Sequence, residues 1–125
     1  MITEDDLLSM AMLHDLLEDH FPGVHIAGMT QTVKDSLTFL KDHNIDLLFL
    51  DIELPDGNGF DILTGADKKN FGVIITTSYL TYANSGEFFN LVDFLVKPVT
   101  LFALKQAICK FEQHLQIHNV DPYLF

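Results

Sequence analysis

The chain has 125 residues, 48% of them hydrophobic, and a formal net charge of −11 carried against only seven lysines and arginines. That length fills one domain, residues 1–125, with a single core. Its one cysteine excludes an internal disulfide, no apolar run approaches the roughly 20 residues of a membrane helix, and so negative a surface repels nucleic-acid backbones.

The acidic opening Met1-Ile2-Thr3-Glu4-Asp5-Asp6 lacks the basic-then-apolar pattern of a signal peptide, and with a single thiol it suits a reducing cytoplasm. Leu7 to Leu17 is a strong helix-forming stretch in which Leu13, Leu16 and Leu17 recur at helical spacing, and Pro22-Gly23 stops it after Phe21. Val24 to Met29 is apolar or β-branched at most positions and predicts a short strand. A second helix follows, apolar at Val33, Leu37, Phe39 and Leu40 and polar at Lys34, Asp35, Lys41 and Asp42, and His43-Asn44 ends it.

Asp46 to Leu50 is an unbroken apolar run after its first residue, the mark of a strand covered on both faces, and Asp51 stands where it leaves the core. Pro55, Gly57 and Gly59 then make a turn-rich loop. Phe60 to Ala66 predicts a third helix, Phe71 to Thr77 a strand ending on hydroxyls, and Tyr82 to Leu91 a short fourth helix. Val92 to Val96 is the last strand, closed by Lys97-Pro98. Thr100 caps a final helix with an apolar stripe of Leu101, Leu104, Ile108, Phe111 and Leu115, where Cys109 reads as a small buried residue.

Strands and helices alternate throughout, which predicts an α/β fold: a doubly wound parallel sheet with helices on both faces. The first strand is cut short, since only Met1 to Thr3 precedes the acids. Glu4 and Asp5, Asp51, Thr77 and Lys97 all fall at carboxyl ends of strands, where open parallel sheets bind ligands. Carboxylates meeting in one crevice raise one another's pKa unless a cation lies between them, and oxygen-only donors favour a hard divalent ion such as Mg²⁺. A lysine and a hydroxyl beside them suit a multi-oxygen anion, a phosphoryl group.

In these residues the chain resembles the receiver domains of two-component response regulators over nearly its whole length. The acidic pair Glu4-Asp5, Asp51 within Leu48-Phe49-Leu50-Asp51, Pro55 and Gly59, Thr77-Ser78 and Lys97-Pro98 carry the likeness. It implies a five-stranded CheY-like (flavodoxin-like) sheet of order 2-1-3-4-5. Asp51 would accept the phosphoryl group from a sensor histidine kinase. Asp5, Asp51 and the backbone carbonyl of Glu53 would bind Mg²⁺, with Glu4 acting through water. Lys97 would pair with Asp51 and then with a phosphoryl oxygen. Thr77 would swing toward that group, Phe94 would fill the space left, and the Lys97–Pro98 peptide would be cis.

Thr76 to Ala83 and Val92 to Val99 most resemble the LytTR-type regulators, which carry a C-terminal DNA-binding output domain. Phe94 stands where a tyrosine is commoner. The resemblance leaves open a stand-alone receiver or one cut from a longer protein. It also implies a surface of fourth helix, fifth strand and last helix that rearranges and dimerises, with Tyr79, Leu80, Tyr82 and Phe88 as its apolar content. Neither direct nucleic-acid binding nor membrane attachment is expected, and the chain would phosphorylate and slowly dephosphorylate itself without being a turnover enzyme. Three other readings compete. A phosphate-independent interaction module is opposed by the intact acids, threonine and lysine. An aspartyl-phosphate hydrolase would carry a second aspartate where Glu53 stands. A flavin protein would need a phosphate-cradling loop where Glu4-Asp5-Asp6 lie.

Overall fold

A computed structural model of the chain describes residues 1–67, 70–78 and 90–118, the last three of these by backbone alone. The elements in order are β1 (Ile2–Thr3), α1 (Leu7–His20), β2 (Met29–Thr30), α2 (Val33–Asp42), β3 (Leu47–Asp51), β4 (Glu53–Leu54), β5 (Gly57–Asn58), α3 (Phe60–Gly65), β6 (Gly72–Thr77), β7 (Leu91–Val96) and α4 (Leu101–His118). Among the described residues, five strands pair in parallel in the order β2-β1-β3-β6-β7, which is 2-1-3-4-5 when these strands alone are numbered. The loop after β3 contains the small antiparallel pair β4-β5, a local hairpin in a stretch whose sequence showed only turn signals.

Alternation along the strands sends successive side chains to opposite faces, and each face has its own core. Leu48 and Leu50 of β3 and Val73 and Ile75 of β6 pack with Leu40 and Ile62 beneath α2 and α3. Leu47, Phe49 and Ile74 pack on the other face with Met10, Leu13 and Leu17 of α1 and Leu104, Ala107 and Ile108 of α4. Burial on both sides explains why β3 reads as a continuous apolar run rather than an alternating one.

Helix ends follow their caps. The Asp6 side chain accepts from the Leu8 amide at the start of α1, and Thr32 accepts from Asp35 at the start of α2. Thr100 accepts from Ala103 at the start of α4. Each satisfies an amide that the first helical turn leaves without a carbonyl partner.

Three expectations need correction. The strand expected over Val24–Met29 is confined to Met29–Thr30. Its partner β1 has only two residues, matched as Ile2 with Met29 and Thr3 with Thr30; the ladder reaches back as far as the Gly28 carbonyl, which accepts from the Ile2 amide at 3.0 Å, and Val24 to Ala27 lie beyond it. Cys109 is exposed, not buried: the inward face of α4 carries Leu104, Ala107 and Ile108, and 109 falls on the outer side. Leu91, expected in a helix, opens β7. Asn90 is a turn residue with a positive φ of 68°; residues 82–89 of that expected helix, with Tyr82 and Phe88, and Tyr79 and Leu80 before it, lie outside the described residues. The short first strand is present as expected, and the Met1 amino nitrogen prolongs its ladder by donating to the Leu47 carbonyl at 3.0 Å.

Candidate functional site

The parallel sheet delivers its strand ends to one edge. Glu4 and Asp5 follow β1, Asp51 is the last residue of β3, Thr77 the last of β6, and Lys97 follows β7. Glu4, Asp51 and Thr77 are buried, Asp5 is exposed, and Lys97 is partly covered. One carboxylate oxygen from each of Glu4, Asp5 and Asp51 lies within 4.8 Å of the others. These acids, 46 positions apart in sequence, therefore do converge on one point. Above them opens a cleft of about 520 Å³ lined by Asp5, Asp51, Glu53, Ser78, Lys97 and Pro98.

Lys97 holds the buried pair together. Its Nζ lies 2.5 Å from Glu4 Oε1 and 3.1 Å from Asp51 Oδ2. The resemblance implies the pairing with Asp51; the closer one with Glu4 is not among its implications, which give Glu4 a role through water. Two carboxylates at 5% side-chain exposure cannot both stay ionised without a nearby cation, and the ammonium supplies one. Backbone bonding steadies the lysine, for its own N–H donates to the Thr77 carbonyl at 2.7 Å. The Lys97–Pro98 peptide is cis.

The electrostatics follow. Burial, reinforced by the hydrogen bond to Asp51, pushes the Glu4 carboxyl up to about 7, and Lys97 offsets only part of that rise. Burial pulls the Lys97 ammonium down, but its hydrogen bonds and charge interactions with Glu4 and Asp51 outweigh this and hold it above the ordinary lysine value. Glu4 also accepts from the Asp6 amide at 3.3 Å.

The loop beyond Asp51 is built close against it. The Glu53 amide donates to Asp51 Oδ1 at 3.2 Å, so Glu53 sits alongside the acid cluster while its side chain faces solvent. Gly59 donates to the Ile52 carbonyl at 2.6 Å. Its φ of −55° is open to any residue. The glycine is required instead by space, since a Cβ there would fall on the Asp51 carbonyl oxygen. Phe94 is partly buried against the core under α2 and α3, and its amide donates to Asp93 Oδ1 at 2.8 Å.

Two contributors went unseen in the sequence. Asp56, in the turn between β4 and β5, accepts from the Val33 amide at 2.8 Å and the Lys34 amide at 3.0 Å. Ser36, fully buried on α2, bonds to Thr30 at 2.7 Å and Thr3 at 3.2 Å. An acid in a turn and a serine in a helix carry no signal of such contacts until the tertiary fold brings their partners near.

With donors that are all oxygen and one residual lysine, the acid cluster fits a small hard divalent cation such as Mg²⁺. Among the described residues, no helix is long and apolar enough to cross a membrane.

Comparison with known proteins agrees. The family model for the response regulator receiver domain matches residues 1–109. The transcriptional regulatory protein CitT of Bacillus subtilis is 28% identical over 97% of this chain, and the sensory transduction protein LytT of Bacillus anthracis is 31% identical over 93%. The chain spans 55% and 48% of those proteins, about half their length. Among solved structures, the receiver domain of AraT from Geobacillus stearothermophilus superposes with a TM-score of 0.83 at 20% identity, covering 95% of each chain. The response regulatory domain of mrkE from Klebsiella pneumoniae gives 0.81 at 22% identity, over 93% of this chain and 96% of that one. From the converging strand-end acids to the matched family model, these findings make the chain a member of the response-regulator receiver domain family, with LytT, LytR and CitT among its relatives.

Proposed function

We propose that residues 1–125 form one receiver domain that takes a phosphoryl group onto Asp51 from a phosphohistidine of a sensor kinase. The observation that carries this reading is the meeting of Glu4, Asp5 and Asp51 around one point with Lys97 Nζ on two of them. In the transfer an Asp51 carboxylate oxygen forms a bond to phosphorus while the phosphorus–nitrogen bond to the donor imidazole breaks, leaving an acyl phosphate and a free histidine. Asp5, Asp51 and the Glu53 carbonyl would hold Mg²⁺, with Glu4 contributing through water. Bound there, the ion would neutralise charge on the phosphoryl oxygens and favour in-line attack.

The protein's own residues supply the rest. Asp51 sits at a strand end, so its carboxylate faces the cleft instead of the core. Lys97 would exchange its contact with Asp51 for one with a phosphoryl oxygen once the carboxylate loses its charge in the acyl phosphate. The Thr77 hydroxyl would turn toward the same group and Phe94 would follow into the space behind it. The segment 79–89, β7 and α4 would carry the change to a partner, a second copy of the chain, or a DNA-binding output domain in a longer parent protein. The larger size of the curated relatives, one of them named a transcriptional regulatory protein, supports that last destination. A cytoplasmic location goes with this role, as does slow self-dephosphorylation without turnover chemistry.

Incubation with acetyl phosphate and Mg²⁺, followed by intact-mass spectrometry, tests the reading. One phosphoryl adduct is expected on the wild type and none on Asp51→Asn or in chelator. An adduct of equal yield on Asp51→Asn would overturn the assignment of Asp51.

A further inference from the structure

Two separate segments carry the acid cluster: the end of β1 with Glu4 and Asp5, and the β3–α3 loop with Asp51 and Glu53. Each is bonded independently to the same short stretch, Thr30–Ser36, which ends β2 and opens α2. On the first side, the Gln31 side-chain Nε2 donates to the Asp5 backbone carbonyl at 3.3 Å. Next to it lies a hydroxyl chain: Ser36 donates to the Thr32 carbonyl at 2.7 Å, leaving its oxygen to accept from Thr30 at 2.7 Å. Thr30 then accepts from Thr3 at 2.9 Å, so each hydroxyl proton in the chain has an acceptor. Thr3 and Ser36 are fully buried, and Thr3 immediately precedes Glu4.

On the second side, the Asp56 carboxylate takes both of the first two amides of α2, Val33 and Lys34, one on each oxygen. Those amides hold Asp56 in its ionised form, below the ordinary aspartate value. This is a helix cap supplied from a distant loop, and it ties the β4–β5 turn to α2. Asp56 is only three residues beyond Glu53.

We propose that Thr30–Ser36 is a brace fixing the spacing between the two cation-bearing segments, with Asp56 and Ser36 as its positioning residues. The inference rests on the magnesium reading given above. β1 is only two residues long, and past it, among the described residues, the ladder continues only through the Glu4 amide, which donates to the Thr30 carbonyl of the same stretch at 3.0 Å. The hydroxyl chain and the Gln31 bond make up that deficit on one side, and the Asp56 cap does so on the other. Groups that orient metal ligands through hydrogen bonds change affinity by roughly 10–100-fold when removed. Asp56 and Ser36 act one bond further out, so a smaller effect is expected.

Isothermal titration of the folded protein with MgCl₂ tests this directly. Asp56→Ala and Ser36→Ala should each weaken magnesium about 3–10-fold, below the roughly 10–100-fold of groups bonded directly to a ligand. Asp56→Asn, which keeps one acceptor oxygen for the α2 amides, should recover most of the loss. Urea unfolding with and without magnesium gives a second readout, in which the destabilisation by Asp56→Ala should be larger with the ion present. Unchanged magnesium affinity in both alanine variants, or equal destabilisation in the two conditions, would overturn the brace and leave a plain structural cap. A wild type that binds no magnesium would overturn the reading of the site and the brace with it.

Discussion

Glu4 turns pH into a direct test of the site. Its carboxyl is held at about 7 against an ordinary 4.5. Between those values the folded protein keeps a proton that the unfolded chain has released, so stability is highest below 4.5 and is lost as pH rises through 7. At about 1.4 kcal/mol per pH unit, that gap corresponds to at most about 3 kcal/mol, since Lys97 shares the same charge balance. The measurement is urea unfolding in chelator at pH 5, 6, 7 and 8, with Glu4→Gln alongside. Gln cannot ionise, so the variant should not share the decline, and the difference between the two proteins isolates Glu4. The Met1 amino group, which burial lowers to about 6 and which works in the opposite direction, is common to both and cancels. Magnesium should flatten the wild-type curve by favouring the ionised acid. A difference that stays constant from pH 5 to 8, or that opens with the wild type gaining stability, would refute the arrangement of Glu4 between Asp51 and Lys97.

Lys97→Met removes the cation from between two buried acids and should destabilise the protein by about 2–4 kcal/mol at pH 8, and by less at pH 5 where Glu4 holds its proton; denaturant midpoints at the two pH values check this. Gly59→Ala forces a Cβ onto the Asp51 carbonyl oxygen, so the loop must shift. A loss of about 1–3 kcal/mol is expected, together with slower labelling by acetyl phosphate. Cys109 is exposed and should react fully with a maleimide in the native protein. Labelling only after denaturation would contradict the phase of α4.

The parts of this molecule legible in its sequence are those set by strand ends. Asp51, Thr77 and Lys97 each close an apolar run, and in a parallel sheet that alone brings them to one edge. The alternation of runs and helical stripes likewise carried the parallel sheet and its two-sided core, while the strand order came from the resemblance to receiver domains. What stayed hidden depends on rotation or on distant partners. Cys109 has apolar neighbours in sequence, but helical phase turns it outward from Leu104, Ala107 and Ile108. Val24 to Ala27 has strand-forming residues, but a strand exists only where another pairs with it, and β1 stops after two. Ser36 looks like a polar residue on a solvent face, and only the approach of Thr3 and Thr30 makes its burial tolerable. The resemblance pairs Lys97 with Asp51, while the nearer acid is Glu4.

The sheet order has a mechanical consequence. Among the described residues, β2 pairs within the sheet only with β1, whose ladder ends on the Glu4 amide donating to the Thr30 carbonyl at 3.0 Å and whose paired residues are Ile2 and Thr3. Loosening those two residues would unzip the entire flank at once and carry Glu4 and Asp5 away from Asp51 in the same event. Opening of this kind, well below global unfolding in cost, is how cooperative sub-units of a fold exchange their amides. Anything that fastens the acids to one another therefore also fastens that flank, so occupancy of the cleft would be felt on the far side of the sheet from α4.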